Sequence, residues 1–395
     1  MLKQSITILG STGSVGQNAL DLIEASDEFE LFAISANKNI DLLLQQCRKF
    51  NPKIAVLAEE SLADSFQTLL RQSDCDTELK IGPSALEEVA ADSRAKTIIA
   101  AIVGAAGLNS TMAAAKSGKK ILLANKEALV MSGDLFMQAA SVSGSTIIPI
   151  DSEHNAVFQC LPYTSSGLNK DQFKHVEKLV LTASGGPFLD LPIPRLDSVT
   201  PEMACAHPTW QMGRKISVDS ATMMNKGLEL IEAHHLFGLE ASNLGVLIHP
   251  QSVVHAFVHF VDGSVLAQLA VPDMRIPIAY GLAYPRRLKT GVQHLNLVET
   301  GKLEFREADE DQFPCFRLGR MAMQAGGAAP ILLNAANEVA VDAFLKGSIS
   351  FPKIPEIIEE VITKTPCESP STLAIIQDID IRAKELANQL IYKDC

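Results

Sequence analysis

The chain has 395 residues, of which 47% are hydrophobic and 20% are charged. This composition excludes disorder over most of the length and allows about two or three domains, each with its own core. The 46 acidic residues outnumber the 34 basic ones and give a net charge of -12, and no run of lysine or arginine offers a surface for nucleic acid.

The seven cysteines are irregularly spaced and include no CxxC pair, which indicates reduced thiols in a cytoplasmic protein. The apolar runs are far shorter than the ~20 residues of a membrane-spanning helix. A strand leads directly into a glycine loop at the N-terminus, which is unlike a secretory signal. We therefore expect a cytoplasmic location and no membrane partner.

Residues 1–150 alternate short β-rich apolar runs with helical patterns, which is typical of βαβ units. We predict an α/β fold here, a Rossmann-like doubly wound parallel sheet. One face of its first helix is apolar, at Val15, Ala19, Leu22 and Ile23. The predicted strands are 6–9, 31–35, 54–57, 79–81, 97–103, 120–124 and 146–150.

Residues 151–285 are predicted to form a smaller α+β domain with catalytic function. It would contain a strand at 179–182, a single helix at 219–237, and a hairpin of strands 253–261 and 265–271 that turns at Asp262-Gly263. A polar connector is predicted at 286–311. Only helical patterns follow it, so we predict a C-terminal helical bundle over residues 312–395.

The sequence GSTGSVG follows the first predicted strand and opens the first helix, with Gly10, Gly13 and Gly16 three residues apart. Glycines allow positive φ and let the backbone approach a pyrophosphate, which the helix N-terminus stabilises. The spacing differs from GxGxxG, and a tight strand-to-helix connection is the alternative. The place of the loop at the start of a doubly wound sheet favours a dinucleotide.

The end of the second predicted strand indicates which dinucleotide would bind. An acidic residue there would accept hydrogen bonds from the ribose hydroxyls and repel a 2′-phosphate. The chain instead has Asn37, Lys38 and Asn39, a cation between two amides, which favours NADP(H) over NAD(H). An ordinary solvated lysine is the alternative for Lys38.

Three acidic residues are candidate metal ligands. Asp151 and Glu153 stand two residues apart at the carboxyl end of the last predicted strand, the edge where ligands bind in such sheets. Glu229 follows Asn225 by four residues and shares its helix face. Carboxylates without cysteine or an HxxxH pair indicate a hard ion, Mg²⁺ or Mn²⁺. Spacing alone slightly favours the alternative, an acid pair at a helix start plus a surface glutamate.

Several polar residues could bind a phosphorylated substrate. Ser184-Gly185-Gly186, after a strand, can form a nest of N–H groups for an anion. Ser220, Asn225 and Lys226 supply hydroxyl, amide and ammonium donors for a phosphate. Lys126 follows another strand at the same sheet edge and could orient a substrate hydroxyl or carbonyl. Local caps are the alternative for the serines, and a surface charge is the alternative for Lys126.

One loop contains residues that could close over a ligand. His207 and Trp210, the only tryptophan, lie beside Met212 and Gly213 in this loop, where an aromatic ring could exclude water. A role in the core is the alternative for His207 and Trp210. For His249 and His255, near the hairpin, we predict structural roles.

Seven sequence blocks together resemble one known family. They are GSTGSVG, ANKE at 124–127, DSEHNA at 151–156, TASGGPF at 182–188, AHPTWQMGRKISVDSATMMNKGLE at 206–229, HPQSVVHAFV at 249–258 and PDMR at 272–275. In these blocks the chain resembles 1-deoxy-D-xylulose 5-phosphate reductoisomerases. The resemblance implies NADPH-dependent conversion of 1-deoxy-D-xylulose 5-phosphate to 2-C-methyl-D-erythritol 4-phosphate, in non-mevalonate isoprenoid precursor biosynthesis. The chain departs from many members at Asn37 and at Ala270-Val271.

The family's motifs imply roles for individual residues, and they also imply a homodimer. The implied ligands of Mg²⁺, Mn²⁺ or Co²⁺ are Asp151, Glu153 and Glu229. The substrate would contact Lys126, Ser152 and His207, and its phosphate would contact Ser184, Ser220, Asn225 and Lys226. NADPH would lie against Thr12, Gly13, Ser14, Val15, Asn37, Lys38, Asn39, Asn125, Glu127, Met212 and Gly213, and Trp210 and Met212 would belong to a flexible lid.

Two other functions are consistent with parts of the sequence. A metal-free NADP-dependent dehydrogenase of a small carbonyl acid would use the carboxylates structurally, and its activity would survive EDTA. A nucleotide-sensing or scaffolding protein would bind NADPH without turnover, although the set of polar site residues argues against it.

Overall fold

The computed structural model of the protein describes residues 3–392, except 74, 162, 165–166, 169, 211 and 367. A parallel sheet of seven strands has the order β4-β3-β2-β1-β5-β6-β7. The chain runs outward from β1 to β4 and then returns to β5, so the switch point of the sheet lies between β1 and β5. The predicted doubly wound α/β fold is confirmed. The strands are β1 (Gln4–Leu9), β2 (Phe29–Ala36), β3 (Ile54–Leu57), β4 (Glu78–Ile81), β5 (Thr97–Ala100), β6 (Lys120–Leu123) and β7 (Thr146–Pro149), and the helices are α1 (Ser14–Glu24), α2 (Ile40–Phe50), α3 (Ala63–Arg71), α4 (Pro83–Ala91), α5 (Leu108–Lys116) and α6 (Lys126–Ser143).

A second sheet of five strands has the order β13-β12-β10-β11-β14, with only β10 and β11 parallel. It follows α7 (Ser152–Cys160) and a two-stranded ribbon of β8 (Tyr163–Thr164) and β9 (Gly167–Leu168). The strands of the second sheet are β10 (Val176–Ala183), β11 (Leu244–Ile248), β12 (Val254–Phe260), β13 (Val265–Leu269) and β14 (Arg306–Glu307), and the helices among them are α8 (Pro201–Cys205), α9 (Arg214–Ala221), α10 (Met224–Phe237), α11 (Arg275–Ala283) and α12 (Leu297–Thr300).

In the described part of the chain after residue 311, four helices are present, as the helical patterns predict. They are α13 (Pro314–Ala325), α14 (Ala329–Leu345), α15 (Lys353–Lys364) and α16 (Leu373–Tyr392). The connector before them is not wholly irregular, because it contains the short helix α12 and the strand β14, which pairs with β11. The predicted hairpin is confirmed as β12 and β13, although each strand is shorter than the apolar run that predicted it.

The cores show how these parts are joined. Apolar side chains cover both faces of the parallel sheet, with Ile6 and Leu43 on one face and Ile98 and Phe136 on the other. Helix α11 lies after the hairpin in sequence, yet its Ile278 belongs to the first of these cores. The second sheet, α9, α10 and the C-terminal helices share one further core. The C-terminal helices are therefore packed directly behind the elements that bear the predicted substrate residues.

The predicted helix over 219–237 is present as α10 and ends where expected, but its predicted start is wrong, because residues 219–221 belong to a separate helix, α9, and a break lies between the two. Thr222 ends α9, and its hydroxyl donates a hydrogen bond to the carbonyl of Val218. Met223 then adopts a left-handed conformation with φ of 59° while its side chain stays buried. Thr222, Asn225 and Gly227 near the break have low helix propensity, but a methionine does not itself favour the left-handed conformation found at position 223. The break gives α10 its own direction and its own N-terminus.

Helix α10 lies unusually close to α13. A Cβ atom at Gly319 of α13 would stand 2.5 Å from the Cα atom of Gly227 in α10. The glycine at position 227, which costs helix propensity, is thus explained by a close backbone approach. This contact fixes the position, relative to α13, of the helix that bears Asn225, Lys226 and Glu229.

Among the described residues, none of the helices combines the length and the apolar character that a bilayer-spanning segment requires. Cys47, Cys75, Cys160, Cys205 and Cys315, which the structure describes, form no disulfide. Cys367 and Cys395 lie outside the described residues.

Candidate active site

The three predicted ligand carboxylates are close together. Carboxylate oxygens of Asp151, Glu153 and Glu229 lie within 4.8 Å of one another. The local reason differs from the predicted one, because β7 ends at Pro149 and the two acids do not continue a strand. Asp151 instead precedes the first turn of α7, and Glu153 lies within that turn. Glu229 is fully buried on α10, and Asn225, one turn earlier, donates a hydrogen bond to its Oε1 atom.

Two buried lysines offset part of the negative charge of this cluster. Lys126 Nζ, in the first turn of α6, lies 2.7 Å from Asp151 Oδ2 and 2.6 Å from Asn225 Oδ1. Lys226 Nζ lies 2.8 Å from Glu153 Oε1 and also contacts Glu229. Burial disfavours both ammonium groups, but the carboxylates around them raise the pKa of each lysine above its ordinary value. Each lysine is therefore held as a cation.

The cluster fits a hard divalent cation. Burial and repulsion from Glu153 raise the pKa of Glu229 to about 8, although Lys226 opposes the shift. Burial also opposes ionisation of Asp151, yet Lys126 holds the pKa of that carboxyl well below its ordinary value. An added positive charge would compensate the electrostatic cost of burying the ionised Glu229 carboxylate. Three carboxylates without sulfur ligands favour Mg²⁺ or Mn²⁺.

A histidine and a glutamate behind the cluster were not predicted. His154 Nε2 donates a hydrogen bond of 2.8 Å to the carbonyl oxygen of Glu229, and His154 Nδ1 lies 3.5 Å from Glu232 Oε2. Burial lowers the pKa of His154 and raises the pKa of Glu232. These two residues also form a possible metal-binding group with Asp151. A hard cation prefers carboxylate oxygens to an imidazole nitrogen, so this group is the weaker donor set for Mg²⁺ or Mn²⁺.

A hydrogen bond between side chains joins the serine-glycine turn to the predicted lid. His207 Nδ1 accepts hydrogen bonds from the backbone N–H groups of Thr209 and Trp210, at 3.1 and 2.9 Å. The proton of the neutral ring is then on Nε2, which lies 2.9 Å from Ser184 Oγ and donates to it. Burial lowers the pKa of His207, which preserves this neutral form. Ser184 Oγ also accepts from Gly186 N, so its own proton is free to be donated to an anion.

The same turn lies against Ser220. Gly185 and Gly186 have φ of 83° and 67°, and a Cβ atom at Gly186 would stand 2.8 Å from the carbonyl oxygen of Ser220. Only glycine permits this conformation and this approach together. The predicted phosphate residues Ser184 and Ser220 are therefore neighbours, although they are far apart in sequence.

The aromatic residue of the lid rests on a histidine of the hairpin. The ring centroids of Trp210 and His255 are 6.3 Å apart, and both residues line a small hollow with Ser152. Ser152 donates a hydrogen bond to Glu153, which places it at the metal cluster. His249 has the structural role that we predicted, because it donates to the carbonyl of Glu304 and stacks on Phe305.

The glycine loop has the geometry of an anion site. Gly10 has φ of 88°, and a Cβ atom at Gly16 would stand 2.4 Å from the carbonyl oxygen of Gly10. Helix α1 begins at Ser14, and no described side chain caps its N-terminus, so its first N–H groups are open. Gln46 of α2 fixes the loop, since its amide donates to the carbonyl of Ser11 and accepts from the Ser11 hydroxyl.

Other predicted cofactor residues have structural partners. Asn39 accepts a hydrogen bond from Leu42 N and so caps α2, while Lys38 is exposed, 3.6 Å from Glu59. Asn37 is exposed beside it. Asn125 caps α6, and its amide donates to the carbonyls of Ile102 and Gly104. The side chain of Asn125 thus holds the loop after β5 in place.

The glycine loop and the carboxylate cluster lie at the same edge of the parallel sheet. Both follow the carboxyl ends of strands, and β5 and β6 separate β1 from β7. Neighbouring strands are ~4.8 Å apart, so the two strand ends are separated by ~14 Å. An extended dinucleotide can span this distance. Sequence patterns predicted the edge, but the contacts of Lys126 and Lys226 join residues 70 to 100 positions apart and were not predicted.

Family models cover most of the chain. The model for 1-deoxy-D-xylulose 5-phosphate reductoisomerase matches residues 6–133, and two models for the C-terminal domains of the same reductoisomerase match residues 147–237 and 269–386.

Full-length relatives show the same similarity. A 1-deoxy-D-xylulose 5-phosphate reductoisomerase from Pseudomonas savastanoi pv. phaseolicola is 52% identical over 99% of this chain and 98% of its own length. The Cellvibrio japonicus protein of the same name is 50% identical over 99% of both chains.

Solved structures agree. A DOX-P reductoisomerase in complex with NADPH, fosmidomycin and magnesium is 43% identical, with a TM-score of 0.93 over 98% of both chains. The reductoisomerase from Zymomonas mobilis in complex with NADPH is 42% identical, with a TM-score of 0.91 over 99% of this chain and 100% of that one.

Proposed function

This chain belongs to the 1-deoxy-D-xylulose 5-phosphate reductoisomerase family, and we propose that the carboxylate cluster and the glycine loop described above form its active site. The protein is an NADP-dependent oxidoreductase. It converts 1-deoxy-D-xylulose 5-phosphate to 2-C-methyl-D-erythritol 4-phosphate, with NADPH and a divalent metal as cofactors. The observation that supports this site best is the gathering of Asp151, Glu153 and Glu229 at the sheet edge that also holds the dinucleotide loop.

The metal site would be formed by Asp151, Glu153 and Glu229. A divalent cation bound there supplies Lewis acidity, which polarises the substrate carbonyl and stabilises negative charge on its oxygens during the rearrangement. Lys126 would orient a substrate oxygen, because its ammonium already lies among Asp151, Asn225 and Glu229. Ser152 lies at the mouth of this cluster beside Trp210.

The substrate phosphate would bind where the serine-glycine turn meets the start of α10. Ser184 can donate its hydroxyl proton, since His207 and Gly186 already donate to its oxygen. Ser220 lies against the same turn. Lys226 is bonded here to Glu153 and Glu229, so its proposed contact with phosphate requires a change of partner. The phosphate lies away from the reacting carbons, and the free energy of its binding would help to orient those carbons.

The cofactor would lie along the glycine loop with its nicotinamide towards the cluster. The open N–H groups at the start of α1 would bind the pyrophosphate, with Gly10, Gly13 and Gly16 allowing close approach. Lys38, flanked by Asn37 and Asn39, is exposed and would attract the 2′-phosphate. Asn125, Glu127, Met212 and Gly213 would lie nearer the nicotinamide, which would supply the hydride for the reduction. His207 and Trp210 would close with the lid and exclude water.

We also propose a homodimer formed through the edge of the second sheet. β13 is an edge strand in this sheet, and Val265, Leu266 and Leu269 on it are exposed. Val261, in the turn that precedes β13, is 62% exposed. An apolar edge strand of this kind pairs readily with another strand, and a second copy of the chain would satisfy it. A cytoplasmic location, predicted from the cysteines, remains a proposal.

Oxidation of NADPH, followed at 340 nm with 1-deoxy-D-xylulose 5-phosphate, tests the function. We expect substrate-dependent oxidation with Mn²⁺ or Mg²⁺, and loss of activity in EDTA that Mn²⁺ restores. Undiminished activity in EDTA would instead support the metal-free dehydrogenase. Binding of NADPH without any turnover would support the nucleotide-sensing alternative.

A further inference from the structure

A largely buried chain of polar contacts joins three parts of the molecule. Lys215 Nζ, in the first turn of α9, lies 3.1 Å from Glu127 Oε1 in the first turn of α6. The same ammonium lies 2.8 Å from Asp219 Oδ2, one turn further along α9. Asn337 of α14 donates a hydrogen bond of 2.8 Å to Asp219 Oδ1. Asn337, Asp219, Lys215 and Glu127 thus link the C-terminal helices to the sheet edge.

Most of this linkage is secluded from water, although the Lys215 side chain is 25% exposed. Asn337 and Asp219 are 0% and 1% exposed, and Glu127 is 5% exposed. Burial opposes ionisation of Glu127, yet Lys215 holds the pKa of its carboxyl below the ordinary value. Burial likewise disfavours the charge on Lys215, but Asp219 and Glu127 raise its pKa. Two buried carboxylates therefore depend on one ammonium group, and removing it would leave both without their counter-charge.

The two ends of the linkage lie at functionally different places. Lys215 follows Gly213 by two residues, so it anchors the chain where the lid segment enters α9. Glu127 directly follows Lys126 of the carboxylate cluster and is one of the proposed cofactor residues. A carboxylate at this position accepts hydrogen bonds from a ribose hydroxyl most strongly while it is ionised and fixed.

From these contacts we infer that Lys215 is a positioning residue that fixes Glu127 for the cofactor and ties the lid to the cofactor site, with Asp219 and Asn337 fixing Lys215 from behind. The inference rests on the proposed function, because it takes Glu127 to contact the cofactor. In this arrangement the C-terminal helices act on cofactor binding without touching the cofactor. The position of the lid and the affinity for NADPH are then linked through one ammonium group.

The test compares Lys215→Met, Lys215→Arg and Asn337→Ala in the Mn²⁺-loaded enzyme. We expect Lys215→Met to raise the dissociation constant for NADPH, measured by fluorescence without substrate, by about tenfold, the equivalent of one charge-assisted hydrogen bond. Lys215→Arg should restore most of the affinity. Asn337→Ala should raise the same constant less, and the double variant should not be additive, since both changes act through Asp219.

Lys384→Met is the matched control. Lys384 also bridges two carboxylates, Glu338 and Asp380, one of them a single turn away, but it contacts none of the proposed site residues. The Lys384→Met variant should bind NADPH with an affinity within twofold of the wild-type value.

Two other measurements separate positioning from general stability. The affinity for Mn²⁺ should stay within twofold in Lys215→Met, because Lys215 does not touch the carboxylate cluster. Equal losses of NADPH and Mn²⁺ affinity, or unchanged NADPH affinity in both Lys215→Met and Asn337→Ala, would overturn the inference. If Lys215→Met does not fold, the Asn337→Ala result alone decides. These outcomes are distinct from failure of the proposed function, which wild-type turnover tests.

Discussion

At the scale of single residues, the central feature is a carboxylate that is buried at a high electrostatic cost. Glu229 has no exposure, and its pKa is raised to about 8 by burial and by Glu153. Two lysines offset part of the negative charge of the cluster, and a divalent cation would offset more. Charge balance, more than any single contact, explains why these residue types occur together.

The raised pKa of Glu229 predicts a pH-dependent affinity for Mn²⁺. Below about pH 8 this carboxyl holds a proton that must leave before the metal binds. The dissociation constant for Mn²⁺ should therefore rise by about tenfold for each pH unit below 8, and should level off above it. Titration by isothermal calorimetry measures both the constant and the released proton.

Glu229→Gln provides the control for this prediction. It should bind Mn²⁺ at least ~100-fold more weakly and lose turnover, because one of three carboxylate ligands is gone. Its remaining affinity should no longer depend on pH between 6 and 8. Wild-type affinity and turnover in Glu229→Gln would contradict the metal-ligand role.

At the scale of elements, the close approach of α10 and α13 fixes how deep the site lies. Gly319→Ala should destabilise the protein, since its new Cβ atom would overlap Gly227. Overpacking of this kind costs about 1–3 kcal/mol, which outweighs the gain in helix propensity from alanine. Chemical denaturation would measure the change, and the affinity for Mn²⁺ should fall as α10 is displaced. A variant as stable as the wild type would show that the helices can separate freely.

The sequence predicted some elements better than others. All seven strands of the parallel sheet were predicted, because most of them are buried apolar runs bounded by polar residues. The break at Met223 was not, since a methionine does not favour the left-handed conformation found there. The nearness of Asp151 and Glu153 was predicted from a strand, but a helix start produces it. Spacing identified candidate ligands, whereas the pairing of Lys126 and Lys226 with them depends on tertiary packing.

At the scale of the whole molecule, the exposed edge of the second sheet predicts a dimer. Leu266→Lys, on the edge strand β13, should shift the protein from dimer to monomer, because a buried charge would oppose strand pairing. Sedimentation velocity measures the change. Val298→Lys is a matched control, since Val298 is 90% exposed but lies in the connector. A wild-type protein that is monomeric at micromolar concentration would contradict the proposed interface.

The arrangement of parts explains why such a site needs the whole chain. The first sheet supplies the dinucleotide loop and Lys126, the second region supplies the carboxylates and the lid, and the C-terminal helices support α9 and α10 from behind. No one part contains the complete set of groups. Function in this fold therefore depends on the contacts between its parts as much as on the residues at the centre.

Anomalous diffraction from crystals grown with Mn²⁺ and NADPH tests the central claim most directly. The account predicts one strong manganese peak among the carboxylates of Asp151, Glu153 and Glu229, with the nicotinamide ring on the open side of the ion. A peak at Asp151, His154 and Glu232, or a nicotinamide directed away from the cluster, would contradict it.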